Sequence, residues 1–378
     1  MSLIGDIIDR VLFPNREIHA IPVLDGAFSP NRRLDEARVL GAEIERPDDV
    51  VVGPDDALYV SSGNRVLRCR GEDFAERSVF ASLDGPVGGM AWTPDGRLLA
   101  CVSGRGLTAL SPSGDIVGRL AEVAGERIAC PLSVAVARDG TICLTEGSRR
   151  NPPERWLADL MENRSPSGRL VACGPDFRNA TVRADKLAWP SGVAFSQDET
   201  EIWVAESWGH RLTAFPRGHG ARRVIVKNYA GYPARIVRGA ANDYWMAFFA
   251  LRTQLTEFVL SERAFCEEMM RRVPSDLWIG PTLDGRFNYR EPTQIGRIKK
   301  LGIQKPWAPA RSYGLVARLD AEGEAVETLH SRVDGSIHGV TGMLAVGPGV
   351  FAVSKGRNCL VELPPAGGAP GSDGNAGA

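Results

Sequence analysis

The chain contains no apolar run of the roughly 18–20 residues that a membrane-spanning helix needs, and its formal net charge is only −1 over 378 residues. The first absence argues against a helical span. The second removes any general field that would favour nucleic acid or acidic lipid. Familiar catalytic signatures are missing too: there is no HExxH, no GxSxG and no P-loop, and glycine runs such as "GPGVF" precede no helix that would cradle a phosphate. No cofactor is therefore expected. The 7 cysteines (Cys69, Cys101, Cys130, Cys143, Cys173, Cys266, Cys359) form no CxxC and no Cys/His ligand spacing. Several sit inside apolar runs ("TICLTE", "LLACVS"), which reads as buried free thiols in a reducing, cytoplasmic compartment. The N-terminal "MSLIGDIIDRVLFP" is interrupted by Asp6, Asp9 and Arg10 and has no cleavage-site pattern. It is expected to form a short amphipathic helix over 1–14, stopped at Pro14 and docked on the protein body. The C-terminal "PPAGGAPGSDGNAGA" reads as a disordered end, with 366–378 as the tail.

What the chain does have is turns and a repeat. Gly 42 and Pro 25 are high counts that fit many tight turns. Six segments share one shape: a small or polar entry, alternating apolar residues, an Asp/Gly-rich turn and a second apolar strand. They begin at Pro47, Val87, Pro131, Pro190, Pro233 and Val340, so the spacings are 40, 44, 59, 43 and 107 residues. The fourth reads "PSGVAFSQDETEIWVAESWGHRLTAF", two antiparallel strands around Ser196-Gln197-Asp198-Glu199. An all-strand repeat of about 40–45 residues is a propeller blade, since one sheet cannot cover both its faces until it stacks on its neighbours. The expected fold is all-β: a six-bladed β-propeller over 15–365, closed by strand material from Ile18–Leu24 or Ala37–Leu40. The first strands ("VVV", "VAVA", "GVAF") are nearly continuous in apolar residues, as expected of an innermost strand buried on both faces.

The last spacing contains an insertion, 251–311, placed between blades five and six. Its "TEFVLSERAFCEEMMRRV" carries Phe258, Leu260, Phe265, Met269 and Val273 near helical spacing, which predicts one amphipathic helix ending near Pro274. The following run Arg297, Lys299, Lys300, Lys305 reads as a solvated loop in preference to an anion site. Such an insertion commonly forms a lid or wall over a central pocket.

In a propeller the entry of each inner strand and the exit of the next strand face the same side of the disc. Entries are Asp48, Leu132, Ser191, Ala234/Arg235 and Thr341/Gly342; exits are Ser61/Ser62, Ser103, Glu146, Glu206 and Ser354/Lys355. Glu206 and Glu146 follow apolar strands. Either one, facing a narrow channel, would be a general acid or base of raised pKa; the alternative is hydrogen bonding to backbone amides of adjoining blades. His338 and His210 are candidate bases, or else capping or solvent-facing residues. Arg235 offers a planar fork for a carboxylate, phosphate or oxyanion, or a partner for Asp48 or Glu206. Lys355 is a Schiff-base or electrostatic candidate, or a surface-turn lysine. Trp189, Trp208, Tyr232 and Trp245 can wall an apolar ligand, while Trp203 and Trp245 lie within strands and also suit blade packing.

The stretches "GVAFSQDETEIWVAESWGHRLTAF", "YAGYPARI…ANDYWMAF" and "RSYGLVARLDAEGEAVETLH" resemble the six-bladed propellers of the strictosidine synthase-like group. That group is related to the paraoxonases and to the senescence marker protein/gluconolactonase proteins. The resemblance covers roughly residues 40–363. Metal-dependent members hold a divalent cation at the channel through carboxylate and amide oxygens. Laid on this sequence, those ligand positions fall on Asp48, which could still ligate, Leu132, which cannot, Ser191, a weak ligand, and Ala234-Arg235, so two ligands are lost and a guanidinium stands at or beside the vacated place. No metal is expected. The resemblance also implies that the acid/base glutamate of strictosidine synthase itself would fall in "IHGVTGMLAV", where Thr341 and Gly342 carry no carboxylate.

Three functions follow. The first is a metal-independent enzyme acting on a small organic substrate: Glu206, Glu146, His338 and Arg235 carry ester or lactone hydrolysis or C–N/C–C bond chemistry, and Asp48, Ser191, His210, Tyr232, Trp208, Thr341 and Lys355 bind substrate. The second is a non-catalytic propeller binding a small molecule or protein. The third is a cation-dependent lactonase still using Asp48 and Ser191. A deep apolar pocket with Arg235 and a carboxylate at its floor favours catalysis, whereas Arg235 neutralised by Asp48 favours binding. No nucleic-acid partner and no stable membrane insertion are expected, and the sequence leaves the oligomeric state open.

Overall fold

The computed structural model describes residues 19–40, 43–285, 299–300, 303–304 and 310–365. The expected N-terminal helix at 1–14, the tail at 366–378, Arg297 and Lys305 lie outside the described residues. Six four-stranded antiparallel sheets make up the body, and their first strands are Pro47–Val52, Val87–Trp92, Pro131–Val136, Pro190–Phe195, Gly231–Arg238 and Val340–Val346. Each first strand packs beside the next and the sixth packs beside the first, so the ring closes. Closure is staggered along the chain: Arg38–Leu40 supplies the outer strand of the sixth sheet by antiparallel pairing with Cys359–Glu362. Arg38 reinforces the joint by donating to Glu362 at 2.6 Å.

The second strands are buried from end to end, as in "LYVSS", "LLACV" and "ICLTE". The first strands meet the expectation of double burial in the fourth blade, where Gly192–Phe195 are buried, but not at the strand ends of the first three. Val51, Ala91, Ala135 and Val136 are only partly buried, because they line a central channel of about 200 Å³ that no sheet covers. All 7 cysteines are free and buried. No helix among the described residues is long and apolar enough to cross a membrane.

The insertion lies inside blade five, not between blades five and six. Tyr244–Leu251, its second strand, pairs directly with Gly314–Leu319, which pairs with Ala325–Ser331. A hairpin connection thus carries the whole excursion without breaking the sheet. The predicted single helix is two, Gln254–Ser261 and Arg263–Arg272. The first starts at Thr253, whose side chain accepts from the Thr256 N–H. It ends at Glu262, whose backbone leaves the helical region (φ −97°, ψ 74°). The break changes which face is covered: Val259, Leu260, Cys266 and Met269 are buried, whereas Phe258 and Phe265 are half exposed. Further on, Lys299–Lys300 pairs with Ile303–Gln304 as a short ribbon where a loop was expected.

Candidate functional site

In all six blades the pairing of the first two strands slips at the entry, between Pro47/Val50, Val87/Met90, Pro131/Ser133, Pro190/Gly192, Pro233/Ile236 and Val340/Gly342. Such a bulge bends the strand and re-aims its side chains. Here it brings Asp48, Leu132, Ser191, Ala234, Arg235 and Thr341 into one cavity of about 100 Å³ at the axis. Blade two contributes no side chain. A carbon added at Gly89 would lie 2.7 Å from the Leu132 carbonyl oxygen and 3.3 Å from Arg235 Nε, so the glycine leaves the space that the guanidinium crosses.

Arg235 forms the floor. Its Nη1 donates to the carbonyls of Asp48 (3.1 Å) and Thr341 (3.4 Å), and its Nη2 donates to the Leu132 carbonyl (2.9 Å). Nη2 also lies 2.6 Å from Asp48 Oδ1, while Nε lies 3.3 Å from Asp49 Oδ2 without hydrogen-bond alignment. Lys355 Nζ donates to the other Asp48 oxygen, Oδ2, at 2.6 Å. The hydroxyl of Thr341 adds a bond to the Asp48 carbonyl at 2.9 Å. Burial works to raise the Asp48 carboxyl, but Lys355 and Arg235 outweigh it and hold the group at about 2. On the far side of the guanidinium, burial dominates at Asp49 and lifts it to about 6 despite Arg235 and the Met90 N–H. Burial likewise opposes the charge on Arg235, yet the two carboxylates keep its pKa raised. The pocket therefore faces two cations and one ionised carboxylate. The converging oxygens of Asp48, Asp49, Leu132 and Thr341 would suit a hard cation, but the guanidinium already occupies that convergence, and the residues present do not fit a divalent ion.

Aromatic rings build the walls. Trp189 and Trp208 stack at 5.2 Å, and Trp156 and Phe249 pack edge to face at 5.5 Å. Trp189 holds a left-handed backbone (φ 54°), unusual for a large residue and locked by the Ser207 N–H donating to its carbonyl at 3.0 Å. Trp208 is oriented by its indole N–H, which donates to Asp159 Oδ1 at 3.1 Å. Asp159 is buried and also accepts from Ser148 Oγ (2.6 Å) and Asn151 Nδ2 (3.0 Å). Pro153 and Leu283 complete the lining. Sequence reasoning passed over Trp156 and Pro153. Their signal was the 59-residue spacing between the third and fourth segments, which holds the helix Trp156–Glu162 inserted in blade three. Phe249 closes an otherwise ordinary strand and gave no signal.

The exit carboxylates do not line this pocket. Glu206 is fully buried: it takes Arg211 through both oxygens (2.7 and 2.8 Å), Thr213 Oγ1 at 2.9 Å and the Ala188 N–H at 2.9 Å. Glu146 does the same with Arg169 (2.7 Å) and the Ala129 N–H (2.8 Å). Each sits directly across from its arginine in the third strand, one strand out from the axis. These are struts tying a second strand to the chain that enters its own blade. His338 is buried between Ser312 Oγ (2.7 Å) and the Arg332 carbonyl (2.8 Å). His210 lies outside the Trp189–Trp208 pair, beside a separate cavity of about 750 Å³, with Nε2 4.0 Å from Glu257 Oε1. Tyr232 is buried under Phe249 with its hydroxyl on Glu257, and Trp245 borders a different pocket with Asp243 and Val350. Ser191 Oγ donates to the Pro233 carbonyl (2.7 Å) and accepts from Ser207 Oγ (2.7 Å), with no histidine bonded to it.

Residues 133–214 match the family model of strictosidine synthase, and residues 26–64 match that of the N-terminal part of strictosidine synthase-like proteins. The adipocyte plasma membrane-associated protein of Salmo salar is 24% identical over 261 residues, 61% of this chain and 60% of that one. The protein STRICTOSIDINE SYNTHASE-LIKE 13 of Arabidopsis thaliana is 25% identical over 230 residues, 60% of this chain. The chain spans only 51% of that relative's length. Among solved structures, a gluconolactonase from Xanthomonas campestris superposes with a TM-score of 0.58 at 20% identity, covering 92% of this chain and 95% of that one. A calcium-binding regucalcin from Agrobacterium tumefaciens gives 0.55 at 12% identity, covering 86% and 94%. At these identities the structures share the fold.

Proposed function

We propose that this chain, a six-bladed propeller that matches strictosidine synthase-like family models over part of its length, acts on a small organic substrate at the axial pocket without a metal ion. The observation that carries the reading is Arg235: a guanidinium fills the convergence of carbonyl and carboxylate oxygens at the floor. It supplies as a side chain the positive charge that an ion would bring. Lys355 is the group presented to a ligand, with a partly exposed ammonium held by Asp48. A ring or short apolar body fits against Trp156, Trp189, Trp208 and Phe249, with a carbonyl or carboxylate oxygen directed to Lys355.

The chemistry supported best is polarisation of an ester or lactone carbonyl by Lys355, with water as nucleophile. Ser191 lacks a base, and the Lys355 nitrogen is engaged by Asp48 Oδ2 at 2.6 Å, which disfavours its use as a Schiff-base nucleophile. A second reading, non-catalytic binding of a small anion, is favoured by the neutralisation of Arg235 by Asp48 and Asp49. The 7 free, buried thiols support a reducing, cytoplasmic setting.

The deciding experiment is a screen of lactones, aryl esters and amine/aldehyde pairs, with and without chelator, on the wild type and Lys355→Met, with calorimetric binding in parallel. Turnover that resists the chelator and falls about 100-fold or more in Lys355→Met supports the enzyme reading. Binding without turnover selects the second. Loss of turnover on chelation sinks metal independence.

A further inference from the structure

The roof of the axial pocket comes from the insertion in blade five, and its contact with blade six is built from glycine. Helix Arg263–Arg272 ends at Val273, and the chain then crosses from the blade-three helix to the rim of blade six. At the start of the crossing, Gly280 lies against Met161 and Leu157; a side-chain carbon there would be 2.8 Å from the Met161 methyl. At its end, the Leu283 carbonyl presses on two glycines. A carbon added at Gly339 would lie 2.5 Å from that oxygen, and one at Gly356 would overlap it outright. Gly339 also adopts φ +60°, a conformation that disfavours any side chain. Gly356 directly follows Lys355, so the strap touches down beside the ammonium, and Leu283 lines the cavity with Trp156, Trp208 and Lys355.

We infer that Leu283 is a specificity-determining residue: docked on Gly339 and Gly356, it caps the pocket beside Lys355 and restricts the occupant to a compact molecule. The inference rests on the small-molecule reading above and adds a size class to it. A cavity of about 100 Å³ is small beside the roughly 300–1,000 Å³ of drug-sized sites. The restriction comes from one apolar side chain, whose truncation removes bulk without removing a hydrogen bond.

The test uses the full chain and probes that need no known substrate. Affinities of benzene, indole and naphthalene are measured by ligand-observed NMR for the wild type, Leu283→Ala, Leu283→Val and Leu283→Trp. The expected result is a naphthalene-to-benzene affinity ratio that rises about 10-fold or more in Leu283→Ala, rises less in Leu283→Val and falls in Leu283→Trp. Loss of probe binding in Trp156→Ala, a wall of this pocket that does not line the larger cavity beside His210, places the probe here. A ratio within about twofold in every folded variant would overturn the role of Leu283, and so would a naphthalene signal insensitive to Trp156→Ala. Should Leu283→Ala fail to fold, the Val and Trp variants, with opposite expected signs, still decide. If the probes behave as expected and no reactive substrate is ever turned over, the enzyme reading fails while the size restriction stands.

Discussion

Replacing Arg235 by methionine keeps much of the side-chain volume and deletes the charge, and it puts the reasoning at most risk. The change strands the Asp48 and Asp49 carboxylates and the carbonyls that the guanidinium ties together across blades one, three and six. Breaking a buried ion pair by removing one partner costs about 3–5 kcal/mol. At roughly 2 °C per kcal/mol for a large domain, the expected fall in Tm is about 5–10 °C. The loss has a pH signature. Asp49 already has a raised folded pKa, about 6, so the folded state binds its proton more tightly than the unfolded chain does, and its ionisation costs stability as pH rises toward 6. Without Arg235 the opposing charge is gone and the cost persists to higher pH. The deficit of Arg235→Met should therefore be larger at pH 8 than at pH 5.5. Scanning calorimetry or circular dichroism at both values measures it. A companion variant, Arg235→Ala, exposes oxygens suited to a hard cation, so calcium should raise its Tm and leave the wild type unchanged. Two results would refute the argument: a Tm within about 1 °C of the wild type at pH 8, or equal stabilisation of both proteins by calcium.

Other predictions follow from single contacts. Glu206→Gln should destabilise by about 2–4 kcal/mol, read as a lower denaturation midpoint. It should leave probe binding in the axial pocket within about twofold, because Glu206 holds Arg211 and the Ala188 N–H and does not reach the pocket. His210 and His330 are buried mainly neutral, and burial depresses them to about 3 and about 4. The unfolded chain takes up their protons first, so stability should be constant above about pH 6.5 and fall below it, by roughly 1.4 kcal/mol per pH unit per histidine. A Tm that does not fall between pH 6.5 and 5 would contradict this. Gly89→Ala should unfold the protein at lower temperature than Gly218→Ala does, since the added carbon meets the Leu132 carbonyl and the Arg235 guanidinium at Gly89 and nothing within 4 Å at Gly218.

The repeat alone settled the blades. Apolar alternation broken by Asp/Gly turns recurs at Pro47, Val87, Pro131, Pro190, Pro233 and Val340, and all six inner strands begin at or within two residues of those positions. Local pattern was enough, because each blade hides its faces only by stacking on a copy of itself. The same logic brought the entries Asp48, Leu132, Ser191, Arg235 and Thr341 to one pocket. Direction of side chains was not legible. Glu146 and Glu206 look like channel acids in sequence, yet a bulge at each entry and an arginine across each exit turn them into struts. Trp156, Phe249 and Leu283 reach the pocket from two insertions and a strand end, and no local periodicity records where an insertion folds back. Sequence placed Arg235 near the axis. Only the tertiary structure decided that its guanidinium would be shared among the carbonyls of three blades, because those carbonyls belong to backbone and carry no signature in residue type.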